Sequence, residues 1–388
     1  MAKRKRSEEL YQGFEQGPIR PPSEANSLLI RITRNCPWNQ CTFCPVYKDQ
    51  RFSVRSVEHV LQDIDAIHRQ VHLLQQTADD SGRIRREQLR DIADSNHPTD
   101  MQAFYAALNW VVGGMKSIFL QDANSLIIKP ADLIRILKHL RGCFPWVERI
   151  TSYARSHTIA RISDENLSEM KKVGLNRIHI GLESGSDEVL KRVSKGVSKA
   201  TQIKAGSKVK TAGMELSEYV MPGLGGLALS ETHAKETADA LNQIDPDFIR
   251  LRSLAIPDHV PLNREYQEGV FEKCNDIEMA AEILTFIDNL SGITSFVKSD
   301  HILNLFQEIE GRLPEDKPQM MKPVQDFLSM DPEQQTLYIV GRRLGVFSRL
   351  SDMDSPQRLK GAEKACRELG ITPDNRDRVV EELMKRFI

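Results

Sequence analysis

The residues best suited to chemistry are three cysteines on one short stretch. Cys36, Cys41 and Cys44 stand in Arg34-Asn35-Cys36-Pro37-Trp38-Asn39-Gln40-Cys41-Thr42-Phe43-Cys44-Pro45, spaced C-x4-C-x2-C. Thiolates are soft ligands, and three on one loop can face a single metal centre and leave one position open. Three readings compete. Catalytic zinc takes three protein ligands and an open site, usually with a histidine or carboxylate among them; neither type occurs between Arg34 and Tyr47. An iron–sulfur cluster normally takes four cysteines, so three would leave one iron without a protein ligand. Three unrelated core thiols are the plain alternative, but the Asn, Gln and Thr around them make poor core material.

The loop needs a scaffold, and the chain supplies a regular one. The apolar run Ser27–Thr33 reads as a strand that ends where the cysteines begin. Ser56 is placed to cap a helix carrying Val57, Val60, Leu61, Ile64 and Ile67. The polar segment 75–99 has no apolar stripe and is expected to be a surface insertion or a lid. Beyond it, short apolar runs alternate with amphipathic segments: strands near 117–120, 148–152, 177–180, 216–221, 248–252 and 293–297, helices between them. Ser163, Ser198 and Ser230 are expected as N-caps, Gly174 and Gly213 as helix stops. Strand–helix repetition implies a parallel sheet, since each return to the same end needs a crossover. The expected class is α/β, as a partial (β/α)6 TIM-like barrel or an open sheet. From about 300 the pattern reads as helices without strands, punctuated by Pro323 and Pro332: a helical appendage. The expected boundaries are an N-terminal arm over 1–24, a core over 25–260, a closing β/α segment over 261–299 and the helical part over 300–388.

In such folds functional groups gather beyond the C-terminal ends of the strands. Those positions hold unusual sequences here. Gln121, Asp122 and Asn124 follow the second strand and offer acceptors; alone they read as an Asx-rich turn. Arg155 follows the third, suited to an anion or to a surface carboxylate. The fourth leads into Gly181-Leu182-Glu183-Ser184-Gly185-Ser186 and on to Arg192 and Lys195. The fifth leads into Gly223-Leu224-Gly225-Gly226-Leu227-Ala228, a formal G-x-G-x-x-A match that keeps a nicotinamide dinucleotide site open. Arg250 and Arg252 share a strand face, facing an anionic substrate or pairing with nearby acids. His259, in a Pro-flanked loop, is a candidate proton donor.

Bulk composition narrows the classes. A net charge of −1 provides no global field for nucleic acid or an acidic membrane. The basic tip Met1–Arg6 reads as a solvated tail. No apolar run reaches membrane-spanning length, and no export signal follows the tip, so a cytoplasmic protein without disulfides is expected. Cys143, Cys274 and Cys366 are scattered singletons, expected as core or surface thiols, so one cluster only is expected.

The cysteine loop, with Phe43 just before the last cysteine and with the strand-end sequences, resembles the signature of the radical SAM superfamily. One residue more than usual separates the first two cysteines. The resemblance covers about 25–260. It implies that Cys36, Cys41 and Cys44 hold a [4Fe-4S] cluster whose fourth iron is chelated by S-adenosylmethionine (SAM). It also implies reductive cleavage of SAM to a 5′-deoxyadenosyl radical that takes hydrogen from a substrate. Mapped by position, Gln121, Asp122 and Asn124 would meet the methionine amino group. Glu183 and Ser184 would meet the ribose or amino-acid end, Lys195 the carboxylate, and the turn at Gly223 the adenine. Arg155, Arg252 and His259 would be substrate candidates. The implied partners are a one-electron donor such as flavodoxin or ferredoxin and an unidentified substrate, in an anaerobic setting. The order of motifs is distantly similar to the oxygen-independent coproporphyrinogen oxidase group, and more weakly to tRNA-modifying elongator-type enzymes, whose nucleic-acid groove the balanced charge disfavours. A non-catalytic zinc or iron–sulfur protein and a nicotinamide-dependent dehydrogenase remain alternatives.

Overall fold

The computed structural model describes residues 10–79 and 82–384; the basic tip Met1–Arg6 and residues 80 and 81 of the polar segment lie outside them. In chain order the strands are β1 Leu28–Arg31, β2 Thr33–Arg34, β3 Ser53–Val54, β4 Ser117–Gln121, β5 Arg149–Tyr153, β6 Leu175–Glu183, β7 Glu215–Val220, β8 Phe248–Leu251, β9 Phe296–Lys298 and β10 Glu310–Arg312. The helices that matter below are α1 Val57–Thr77, α2 Arg86–Ser95, α3 Met101–Val112, α4 Pro130–Cys143, α5 Ser156–Ile159, α6 Asp164–Lys172, α7 Asp187–Arg192, α8 Lys199–Thr211, α9 Gly226–Ile244, α10 Pro261–Gln267, α11 Asp276–Asn289, α12 Lys317–Leu328 and α13 Pro332–Arg343. The class is α/β with mostly parallel strands. Among the described residues no helix is long and apolar enough to cross a membrane.

The chain forms two compact units. The first runs up to Pro37 and adds Gln50–Ala154 and Ile162–Arg177; the second takes Trp38–Asp49, Arg155–Arg161 and everything from Ile178. In the first, β1, β4 and β5 lie side by side in parallel, with Leu28 opposite Ile118 and Ile118 opposite Ile150. The buried faces of α1 and α3, including Ile64, Ile67, Phe104 and Trp110, fill its core. In the second, β6 to β10 follow in chain order. There β7, β8 and β9 are parallel and β10 runs antiparallel to β9.

Local chemistry explains most boundaries. The hydroxyls of Ser56, Ser163 and Ser198 accept from the backbone N–H three residues on, capping α1, α6 and α8. Gly174 and Gly213 follow α6 and α8 at φ +103° and +74°, where a side chain would be strained.

Three expectations need correction. Ser230 is not a cap: α9 begins at Gly226, and Ser230 lies a turn inside it, donating to Glu282. Pro323 does not end a helix; it sits within α12, whose buried Met320, Val324 and Phe327 outweigh the lost backbone bond. The region after 300 is not free of strands, because Glu310–Arg312 pairs with β9; three residues centred on Gly311 are too few to show a period. The polar segment carries α2, tied to α1 by Gln70 donating to Asn96 at 2.6 Å.

The N-terminal arm is held by a buried ionic network. Glu15 pairs with Arg34 at 2.8 Å and with Arg31 at 3.3 Å. Arg55, with 2% of its side chain exposed, meets Asp63 at 2.5 Å, and Tyr11 donates to the same carboxylate at 2.9 Å. Asp63→Ala leaves that guanidinium with the Arg31 carbonyl at 2.8 Å and, as a counter-charge among the described residues, a distant Glu15 at 3.7 Å. The expected cost in urea unfolding is about 3 kcal/mol; a loss below about 1 kcal/mol would mean the network does not hold the arm.

Candidate active site

The cysteine loop takes its shape from its polar residues. Asn35 and Asn39 adopt φ +69° and +48°, a left-handed backbone that asparagine tolerates. Asn39 donates to the carbonyl of Tyr47 at 2.6 Å, and Lys48 to that of Cys41 at 2.8 Å. Between Cys41 and Cys44 the chain is pinned on both edges: Thr42 N–H donates to Val193 and Thr42 C=O accepts from Leu262, each at 3.0 Å. Phe43 is sunk among Val189, Val193, Leu224, Leu262 and Phe271, and Cys41 and Cys44 pack against that cluster. Cys36, Cys41 and Cys44 are half-buried thiols outside any disulfide, whereas Cys274 and Cys366 are buried.

Within the first unit, Asp122 accepts from Arg31 Nε at 2.8 Å and from Asn35 N–H at 3.0 Å, so it orients the residue just before Cys36. The Gln121 amide is spent on the arm: it accepts from Gly17 N–H at 2.8 Å and donates to Ile19 C=O at 2.7 Å. Asn124 is buried in the turn after β4.

Within the second unit, Glu183, Lys195 and Phe43 come together. Glu183 ends β6 at φ +63°, an unusual conformation for a glutamate that its surroundings must hold in place. Its Oε1 accepts from Lys195 Nζ at 3.0 Å, both side chains being under 15% exposed. Lys195 Nζ also lies 5.8 Å from the Phe43 ring centre. Burial pulls the Lys195 ammonium down, but Glu183, and behind it the Cys41 thiolate, outweigh it and hold its pKa above the ordinary value. Gly181 leaves room for this pair: an added Cβ there would meet the Glu183 carboxylate and force it to shift. Arg155 donates to Lys195 C=O at 2.7 Å and lies 5.1 Å from the Trp38 ring centre. Trp38 Nε1 donates to Ser194 C=O at 2.7 Å, closing a clamp on the turn that presents Lys195.

Glu218 on β7 was not foreseen as a site residue. It is fully buried, and neither carboxyl oxygen has a hydrogen-bond partner among the described residues. Burial drives its pKa well above 4.5; Lys195 opposes this and Glu183 adds to it. The packing around this carboxyl thus favours its protonated form, with Lys195 and Glu183 close enough to act on it. The only available signal was an acid in the middle of the apolar run Leu216–Met221.

Ser184 and the glycine turn are held by a second unforeseen pair. His233 Nε2 donates to Met221 C=O at 3.0 Å, and its Nδ1 is hydrogen-bonded to the Ser184 hydroxyl at 2.8 Å. Glu282 accepts from Gly223 N–H at 2.6 Å and from Ser230 at 2.5 Å. A Cβ on Gly225 or Gly226 would meet Leu229 and His233, or Glu272 and Phe271. Those glycines therefore admit the protein's own chain, which removes the physical reason for a dinucleotide phosphate at the turn. Arg250 pairs with Asp300 at 2.7 Å, while Arg252 and His259 are exposed.

The Radical SAM superfamily model matches residues 30–237. Two curated relatives, the tRNA uridine(34) acetyltransferases of Methanocaldococcus infernus and Methanocaldococcus jannaschii, are 25% and 22% identical over 130 and 129 residues, 33% of this chain in each case. The matched region spans about a quarter (24%) of those relatives' length. Among solved structures, the archaeal Methanocaldococcus infernus Elp3 has TM-score 0.39 and 18% identity, covering 48% of each chain. Coproporphyrinogen III oxidase from Escherichia coli has TM-score 0.44 and 15% identity, covering 68% of this chain and 52% of that one. With its family model matched over more than half its length, the chain belongs to the radical SAM superfamily, as an enzyme of the class that binds a [4Fe-4S] cluster and S-adenosylmethionine.

Proposed function

We propose that the chain binds the cluster through Cys36, Cys41 and Cys44 and uses it to cleave SAM reductively, so that hydrogen is abstracted from a substrate. The observation that carries the reading is Glu218, a buried carboxyl without a hydrogen-bond partner beside the Lys195–Glu183 pair. An unpaired buried polar group costs about 1–3 kcal/mol, and a sulfonium zwitterion with ribose hydroxyls offers the donors it lacks. The donor set fits as well: three half-buried thiols, no disulfide, and a lysine whose field favours thiolate at Cys41.

The bound cluster and SAM supply one-electron reduction, carbon–sulfur cleavage and a 5′-deoxyadenosyl radical. The chain supplies binding and a dry cavity. Lys195 holds the SAM carboxylate, Glu183 and Glu218 the ribose and amino-acid ends, and Ser184 is locked by His233 to fix the end of β6. Phe43 seats the loop, and Gly223, fixed by Glu282, lines the adenine. Asp122, Gln121 and Asn124 shape the approach to Cys36. Arg155 positions Lys195, which leaves the exposed Arg252 and His259 as substrate contacts. The electron comes from a flavodoxin- or ferredoxin-class donor, in a cytoplasmic and anaerobic setting, because an open cluster corner is exposed to oxygen.

Anaerobic reconstitution with iron and sulfide, then dithionite and SAM, is expected to yield 5′-deoxyadenosine and methionine. A protein that folds, takes up a cluster and leaves SAM intact under these conditions would sink the reading.

A further inference from the structure

One cluster of ligand-type side chains lies apart from all the residues above. Asp65 on α1 and His139 and Cys143 on α4 place one ligand atom each within 4.8 Å of the others. His139 Nε2 is 2.7 Å from Asp65 Oδ1 and 3.8 Å from Cys143 Sγ. We propose that these three side chains form a binding site for a divalent transition-metal ion of the zinc class.

A single nitrogen, His139 Nε2, faces both neighbours. With a hydrogen it serves the carboxylate, and the Cys143 thiol then has no acceptor there. Without one it accepts from the thiol and turns a lone pair toward the Asp65 oxygen. One proton cannot satisfy both contacts, whereas a cation at the centre takes a lone pair from all three. The donor set is nitrogen, sulfur and oxygen, which suits Zn²⁺ or Co²⁺ and not the all-oxygen preference of Ca²⁺ or Mg²⁺. Tetrahedral coordination at ordinary zinc bond lengths needs N···S of roughly 3.5 Å and N···O of roughly 3.3 Å. The sulfur already stands near that distance, and the carboxylate needs only a small rotation outward.

The scaffold is rigid enough to hold such a site. His139 and Cys143 are four residues apart and share a helix face, and α1 packs against α4 along this seam. Towards the N-termini of the two helices, Arg135 and Glu58 close the same seam with a 2.8 Å ion pair. The His139 and Asp65 side chains are 33% and 47% exposed, so water can reach a fourth position. Burial, and then Asp65, keep the Cys143 thiol above its ordinary pKa, so metal uptake releases a proton and weakens in acid.

The test uses the full chain with Cys36, Cys41 and Cys44 all replaced by alanine, so that no loop thiolate competes. Anaerobic Co²⁺ titration is expected to give one equivalent with a thiolate charge-transfer band and tetrahedral visible bands, displaced by Zn²⁺ but not by Mg²⁺. Cys143→Ser is expected to remove the charge-transfer band, and His139→Ala to weaken binding by about tenfold or more. If circular dichroism shows the triple variant unfolded, the same titration is made on cluster-loaded parent protein and its Cys143→Ser variant, and the difference between them is read. A band that survives Cys143→Ser, or cobalt bound only at millimolar concentration, overturns the proposal. This site stands or falls independently of SAM cleavage.

Discussion

Cys44→Ala is expected to abolish cluster retention and with it SAM cleavage, taking iron from about four per chain to background. Three ligands on one loop leave no spare: each cysteine would hold one iron, so losing one removes a third of the protein's ligands and leaves two irons without one. Nothing nearby substitutes: between Arg34 and Tyr47 there is no histidine or carboxylate. Of the thiols elsewhere in the second unit, Cys274 is buried and pushed up to about 12 by burial and by Glu282 and Glu278. Cys41→Ala is expected to behave alike, with one addition: the Lys195 ammonium loses a thiolate that helps hold its proton. The loop itself should survive, because its form rests on the Thr42 backbone bonds and on Phe43, not on the sulfurs. Unfolding of the iron-free proteins is therefore expected to differ by no more than about 1 kcal/mol. A Cys44→Ala protein that keeps its full iron and still makes 5′-deoxyadenosine would remove the cysteine loop from the mechanism.

The second large effect runs in opposite directions for stability and for binding. Glu218→Leu is expected to stabilise the iron-free protein by about 1–3 kcal/mol, since an unpaired buried carboxyl is replaced by an apolar group. The same change is expected to weaken SAM binding tenfold or more, each tenfold being about 1.4 kcal/mol. The pH dependence has a definite sign. Folding raises this carboxyl's pKa well above 4.5, through burial first, with Lys195 opposing and Glu183 adding. Below 4.5 both folded and unfolded forms hold the proton. As pH rises past that value the unfolded chain releases it while the fold does not, so stability falls until the folded carboxyl also ionises. The advantage of the leucine variant over the parent should therefore widen from acid towards neutral pH. Urea unfolding across that range checks it; a gap that stays flat, together with unchanged SAM affinity measured by calorimetry, would leave Glu218 without a role.

How far residues can be read depends on the range of the interaction that fixes them. Ser163 and Ser198 cap helices because the bond they make spans three residues, and a reader of the chain sees both ends. Ser230 looked the same in the sequence and caps nothing, because Glu282, fifty-two positions on, claims its hydroxyl. Arg155 stood where an anion-binding arginine stands, yet Trp38 and the carbonyl of Lys195 decide what it touches. Gln121 was readable as an acceptor, but its partners, Gly17 and Ile19, come from a stretch with no periodicity to place it. Glu218 left almost no trace, since desolvation belongs to the packed surroundings and not to the residue.

The order of residues alone determined the alternation of strands and helices, the place of the three thiols after the first strand, and the Glu183 to Lys195 spacing. These are set by periodicity and by bonds closed within a dozen residues. Packing alone decided which carboxyl stays protonated, which arginine is occupied, and that Asp65 meets His139 and Cys143. Each of those depends on groups from about twenty to more than seventy positions apart, which only the closed core brings within reach.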